Sequence, residues 1–537
     1  DEQAPEWANH YQALKHQRRA ITLLWEGRYG LWLAAEYLPR FKAVYSFDAD
    51  APRPSSLEHP DPVLEPADAW ASLPEAIQQE SWAAESALRE ILRLRLSHTG
   101  PITAQLLADQ LKLPLTHTEQ ALMALEGEGF VLRGRFTRDA AQIEWCERRL
   151  LARIHRYTLH RLRQAIEPVS QQVFMRYLLR WQRVDAEHRL RGGSDSLMVL
   201  LAQLEGFEAA AAAWEMDILS ARLDAYDPDW LDGLCVSGRT TWLRLSLAEG
   251  LTPVKTSPVA LVSRNQLKLW LTLAQHANPD ALSASARFVA QILAERGALF
   301  LDELTERSGL LKTQMEPVLG ELVARGYVSS DSFKGLRALL IPEQKKKRFH
   351  ALAASLGEAG RWTLIREVTP SHTAAGLADD QLATVAMLLL RRYGIVFKAM
   401  LGREHTVPAW HTLLPVYRRL EARGELRGGR FVAGGYGEQF ALPEAVEALR
   451  AVKKQPESGE FVVLSAADPL NLPGIITSGQ RVPSLPGNRL LYRDGLLLAI
   501  QTGQAIRFIE PIESQEEWSL RQRLERHPIP PKLRAWS

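Results

Sequence analysis

The chain has 537 residues, 46% hydrophobic and 24% charged, with a formal net charge of +2. That is ordinary globular content, enough for three or four domains, and so small a net charge creates no global field, so any nucleic-acid surface must be local. Two cysteines, Cys146 and Cys235, argue against a disulfide framework and exclude an all-cysteine metal site, and no apolar run approaches the roughly 18 to 20 residues of a membrane span.

Asp1 opens the chain with neither a start methionine nor a signal peptide, so the sequence reads as a fragment, and the scarcity of cysteine points to a reducing cytoplasm. Residues 1–66 hold a turn into a buried strand or helix around Trp25 to Glu36, then a connector from Asp48 to Pro66 with five prolines. A winged helix is expected over 67–140. Its helices are Ser86 to Ser97, one opened by Gly100-Pro101-Ile102-Thr103, and the recognition-type helix Thr116 to Glu126. Its wing is Phe130 to Thr137, with Arg133 and Arg135 as DNA-contacting candidates.

The segment 141–250 begins with the most charged helical stretch, Glu144 to Arg163. There Arg149, Arg153, Arg156, His160 and Arg163 recur at intervals of four, three, four and three, which puts them on one helical face. Arginine offers forked donors to phosphate oxygens; a solvated face or an internal ion-pair network would use the same spacing. Ala209 to Ala213 reads as a tightly packed helix. A connector with strand-like Val259 to Val262 leads into a winged helix over 251–345: helices Ser285 to Arg296 and Leu301 to Gly309, recognition-type helix Lys312 to Arg325, and a wing through Phe333. The basic run Lys345 to Arg348 reads as an exposed linker. A further winged helix over 346–455 carries wing arginines Arg427 and Arg430, and 456–537 has the turn-rich pattern of a small β-barrel-like module.

One pattern recurs four times. A helix-like segment ends in a glycine and runs into a short extended stretch, at Gly129-Phe130-Val131, Gly238-Arg239-Thr240, Gly326-Tyr327-Val328 and Gly424-Glu425-Leu426. Glycine supplies the positive φ that ends a helix. The expected fold is therefore mainly α with small β hairpins, a tandem winged-helix array followed by the barrel-like module. Such arrays most often handle nucleic acid.

Nucleotide phosphate loops, dinucleotide fingerprints, serine-hydrolase elbows and metal-ligand spacings are all absent. The chain should not hydrolyse ATP, and no metal or other cofactor is expected in it. If there is chemistry, carboxylates are its agents.

The run Glu144 to Thr158, with Glu167-Pro168-Val169, Phe174 to Gln182, Gly206-Phe207-Glu208, Gly428 to Gly434, Ser465 to Leu472 and Leu485 to Arg489, resembles the C-terminal half of the bacterial long-form large helicase-related (Lhr) family. The resemblance implies a superfamily 2 DNA repair helicase whose motor, with its ATP and Mg, lies outside this chain. It also implies DNA as partner, single-stranded or partly duplex, the motor of the same polypeptide, a possible homo-oligomer, and a cytoplasmic, nucleoid-associated setting without membrane. A weaker resemblance is to winged-helix DNA glycosylases of the AlkZ and AlkX type, whose Gln-x-Asp or Gln-x-Gln motif precedes an arginine and Tyr-x-Pro-x-x-Leu. Here Gln203-Leu204-Glu205 precedes Arg222 and Tyr226-Asp227-Pro228-Asp229-Trp230-Leu231. Glu205 stands where the family has aspartate, and the spacing to Arg222 is one residue off.

That resemblance implies a base-excising activity, such as removal of uracil, with Gln203 and Glu205 as the catalytic pair. A carboxylate could orient water and face a cationic transition state. The plain alternative places Glu205 on an exposed helix turn. Glu215 and Asp217, after the alanine run, and Asp468, in an Asp-Pro turn, compete for the role. A different class, a non-catalytic oligomerisation and protein-interaction platform, draws on fifteen tryptophans for contact surface.

Overall fold

The computed structural model describes residues 5–25, 29–45, 62–137, 140–164, 166–247, 255–275, 278–341, 360–366, 377–477, 479–509, 512, 514–525 and 530–534. The basic run at 345–348 lies outside them. The chain forms two compact units, residues 1–161 and 162–537.

In the first unit, Ala20–Trp25 pairs with Tyr29–Ala34 on one side and with Val63–Glu65 on the other. The end of the expected connector is thus a strand. After the helix Ala84–Leu96 come a short strand Ile102–Thr103, the helices Ala104–Leu111 and Leu115–Gly127, and a hairpin. Trp25, Phe41, Tyr45, Leu92, Leu122, Leu125 and Trp145 share its apolar core.

The hairpin corrects the sequence reading. Val131–Gly134 pairs with Glu144–Glu147, and that second strand is central, bonded also to Ile102–Thr103. Glu144 to Glu147 therefore belong to the wing, and the charged helix begins at Arg148. Local composition favoured helix, but the ladder partners on both sides decide.

The same topology returns three times in the second unit. In each copy the last strand in sequence lies between the first two: Pro258–Ser263 between Glu208–Ala210 and Thr240–Leu243, Arg361–Leu364 between Leu299–Phe300 and Val328–Ser330, and Gln439–Ala441 between Ile395–Phe397 and Arg427–Gly429. Central strands thus fall beyond the boundaries expected at 140, 250 and 345. The stretch read as a connector around Val259 is the middle of a sheet, and a helix, Phe333–Leu339, follows the third wing's first strand.

The recurrent glycines close their helices in one way. Gly129, Gly238, Gly326 and Gly424 have φ between +71° and +78°, and the next residue's N–H bonds back to the carbonyl five positions earlier: Phe130 to Leu125, Arg239 to Leu234, Tyr327 to Leu322, Glu425 to Leu420. This is a Schellman closure, which an L side chain at the glycine would strain.

The alanine run is also corrected. Ala209 and Ala210 are a strand, paired with Val259 and Pro258, and only Ala211–Ala213 is helical. An available sheet edge overrides alanine's helix propensity. The C-terminal module is an open four-stranded antiparallel sheet, Phe461–Ser465, Arg489–Arg493, Leu496–Thr502 and Ala505–Phe508, with no closed barrel among the described residues. No described helix is long and apolar enough to cross a membrane.

Candidate functional site

Gln203 and Glu205 end the helix Ser194–Leu204, and both are buried. The Gln203 carbonyl accepts from Arg183 at 2.7 Å, while its amide donates to the Trp181 carbonyl at 3.0 Å. Glu205 accepts from the Ser263 N–H at 3.1 Å and from the Trp270 indole at 3.4 Å, and Arg392 donates to its backbone carbonyl. Gly206 follows with φ +74°, and a Cβ there would meet the Trp270 ring at 1.9 Å. Burial lifts the Glu205 carboxyl above its ordinary range, against the opposing pull of those donors. Glu205 is therefore neither on an exposed turn nor open to a substrate. Both side chains tie the helix end to Trp181 and Trp270.

Asp468 is likewise committed. It is 1% exposed, and Arg222, 0% exposed, grips it through two bonds of 2.6 and 2.9 Å. Arg222 also donates to the Gln182 side chain, and Arg403 to the Asp468 carbonyl. The arginine read as part of a glycosylase motif is a clasp onto the C-terminal module. Tyr226, from the same motif, donates at 2.8 Å to Glu215, which also receives Arg337, itself bonded to Asp232. That network is buried and internally matched.

Asp217 differs. Residues Trp214–Leu219 form a π-helical turn, a wider winding found mostly as a single-turn bulge and often at functional sites. Trp214, Ile218 and Leu219 are fully buried, and the Trp214 indole donates to the Val259 carbonyl. Glu215 turns to the buried Tyr226 and Arg337. Asp217 remains partly open to solvent and interacts with Ser465, Arg489 and Asp468. Ser465 and Arg489 are cross-strand partners, so their side chains stand side by side. Burial raises the Asp217 carboxyl to about 7; Arg489 and the Ser465 hydrogen bond oppose the rise, and Asp468 adds to it. Arg489 is itself pushed down by burial. A carboxylate raised towards neutrality, on a residue only partly buried and flanked by a hydroxyl and a guanidinium, has the chemistry to take a proton from a bound water.

Sequence reasoning reached Asp217 but not Ser465 or Arg489 as site members. The available signal was that both sit in motifs already singled out, at the ends of two apolar runs that pair.

The basic helix Arg148–Gln164 has no buried residue. Arg149, Arg153, Arg156 and His160 are exposed, along with Tyr157, 68% exposed. Among the described residues no carboxylate forms an ion pair with Arg149, Arg153 or Arg156. Glu147 caps this helix, accepting from the N–H groups of Arg149 and Leu150, and Arg93, Ser97, Phe130, Glu147, Arg148 and Arg149 line an open cleft of about 780 Å³ at its start. Arg163 departs from the stripe, pairing with Glu421 and, at 3.8 Å, with Glu438. For that residue the ion-pair reading holds.

Of the wing arginines, Arg135, Arg427 and Arg430 are exposed; Arg133, also exposed, lies 3.4 Å from Glu126 and over the Trp145 ring. Asp185, Glu187 and His188 have mutually close ligand atoms, but Glu187 and His188 are exposed and the His188 ring pairs with Asp185 at 2.6 Å.

Family models described as large helicase-related protein, winged-helix domain, match residues 169–264 and 375–461. Those two winged-helix segments are thus similar to the winged helices of Lhr. It is 29% identical over 436 residues to a Mycolicibacterium smegmatis protein named Lhr helicase/probable uracil glycosylase, covering 76% of this chain and 28% of that protein. It is 25% identical over 462 residues to Lhr helicase/uracil glycosylase of Escherichia coli, covering 79% and 29%. The chain thus spans less than a third of the length of these relatives. Among solved structures, Streptomyces sahachiroi DNA glycosylase AlkZ aligns with a TM-score of 0.39 and 17% identity, over 69% of this chain and 97% of that one. The family models and the two named relatives agree with the resemblance to the Lhr C-terminal region read from the sequence motifs.

Proposed function

We propose that this chain is the DNA-binding region of an Lhr-type repair helicase and that it excises a damaged base, with Asp217 as general base. The observation that carries the chemistry is the setting of Asp217: a carboxyl on a partly exposed residue, raised by burial to about 7, beside Ser465 and Arg489. The names of the two curated relatives support uracil as the base to try first.

In the proposed reaction a water oxygen bonds to the anomeric carbon of a flipped nucleotide. The bond from that carbon to the base nitrogen breaks, and its electron pair leaves with the base. Asp217 accepts the water proton, its negative charge facing the cationic sugar as it develops. Arg489 would hold a flanking phosphate or the departing base anion, which takes a proton from solvent. The exposed arginines of Arg148–Gln164 and the wing residues Arg427 and Arg430 would track phosphates without reading sequence.

The test incubates the chain with oligonucleotides carrying one uracil or one alkylated base, then cleaves abasic sites with alkali. Strand scission confined to the lesion is expected. DNA binding without scission would retain the binding region and reject the excision.

A further inference from the structure

The most exposed large apolar side chain among the described residues is Tyr436, at 88%. It lies in the loop joining Arg427–Gly429 to Gln439–Ala441, the last of the four winged-helix hairpins. An aromatic ring left in water contributes nothing to packing, so a loose loop would explain it simply. This loop, however, is built. Gln439, fully buried, accepts from the Phe431 and Val432 N–H groups at 2.8 and 2.9 Å and donates to the Val432 and Gly435 carbonyls at 3.0 and 3.2 Å. Phe431 and Val432 are buried, and Val169 bonds to the loop on both sides of Val432, through the Phe431 carbonyl and the Ala433 N–H. Gly434 and Gly437, with φ of +79° and +84°, bracket Tyr436.

The surrounding charge suits an anionic ligand. Glu438, two residues on, is paired with Arg418 and Arg163, and those partners hold its carboxyl below the usual range. Arg430, at the other foot of the loop, is exposed.

We infer that Tyr436 is a stacking platform for one unpaired nucleobase, with the exposed Arg430 at the foot of the same loop for an adjoining phosphate. Inside a duplex both faces of a base are covered by its neighbours, whereas an unpaired base offers a free face to an aromatic ring. The inference rests on the DNA-binding reading proposed above and adds to it a preference for unpaired strand.

The test measures affinity of the full chain for a fluorescently labelled single strand and for the matching blunt duplex, across salt. Tyr436→Ala should weaken single-strand binding about tenfold, within the range for loss of one base stack, leave duplex affinity within about twofold and keep the salt slope. Tyr436→Phe should bind as wild type, because the ring and not the hydroxyl does the work. Arg430→Ala should weaken both substrates and lower the salt slope by about one. A residue 88% exposed can be truncated without unfolding, which an unchanged melting temperature would verify. Equal loss on both substrates would overturn the unpaired-base preference. No loss on either would overturn stacking while leaving DNA binding in place, and a wild-type chain that binds neither strand form would remove the DNA reading itself.

Discussion

The helix end at Gln203–Glu205 and the π-helical turn at Trp214–Leu219 each present a carboxylate that burial holds above its ordinary range, and the two differ in what surrounds them. Glu205 receives Ser263 and Trp270 within a closed setting, and its neighbour Gln203 is saturated by Arg183 and Trp181. The Asp217 carboxylate belongs to a residue that is only partly buried and has a cationic partner, Arg489. A raised pKa therefore does not by itself mark a reacting group; a water and a substrate must also be able to reach it. Asp468 sharpens the contrast, since Arg222 occupies both its oxygens.

The largest expected effect falls on that clasp. Asp468→Asn leaves Arg222 buried without its counter-charge, and loss of one member of a buried pair costs about 3 to 5 kcal/mol. Denaturant unfolding of the whole chain measures it. A cost below about 1 kcal/mol would mean that the pair is not the clasp described.

Next in size is the chemistry. Asp217→Asn should lower excision about a hundredfold or more, the scale of a lost general base, while DNA affinity is kept. Glu205→Gln, which retains an acceptor for Ser263 and Trp270, should leave the rate per folded molecule within about twofold. Reversal of these two outcomes would reverse the assignment. The pH profile follows from the same setting: with Asp217 titrating near 7, the basic form grows as pH rises, so excision should increase about tenfold from pH 6 to pH 8 and level off.

Stability should move the opposite way. The folded-state pKa of Asp217 lies above its ordinary 3.8, so ionisation opposes folding, a penalty absent in acid and complete above about pH 7. Asp217→Asn removes the penalty. It should stabilise the chain at pH 8 by about 1.4 kcal/mol or more, the equivalent of one pKa unit, and the gain should vanish towards pH 4. Thermal melting at the two pH values reads this directly, and a variant destabilised at pH 8 would argue that Asp217 is a structural partner of Arg489.

The smallest effect concerns binding. Replacing Arg149, Arg153 and Arg156 by alanine should weaken DNA binding by about 1 kcal/mol or more and flatten its salt dependence, without change in melting temperature, because all three are exposed. Arg163→Ala, by contrast, breaks the pair with Glu421 and should act on stability first.

The sequence alone determined what is local. The glycine closures at 129, 238, 326 and 424 were readable because a positive φ is a property of one residue, and the recognition-type helices because apolar spacing needs only a few turns of chain. The stripe of arginines on Arg148–Gln164 was legible for the same reason. Tertiary structure decided the rest. The central strand of three of the four winged helices returns from beyond the expected boundary, and the pairing of Ala209 and Ala210 with Val259 and Pro258 overrides helix propensity. It also set the surroundings of each acid. Asp217 meets Ser465 and Arg489, and Asp468 meets Arg222, across separations of more than two hundred residues that no local pattern records. Whether a carboxylate is clasped, enclosed or open depends on what folds against it.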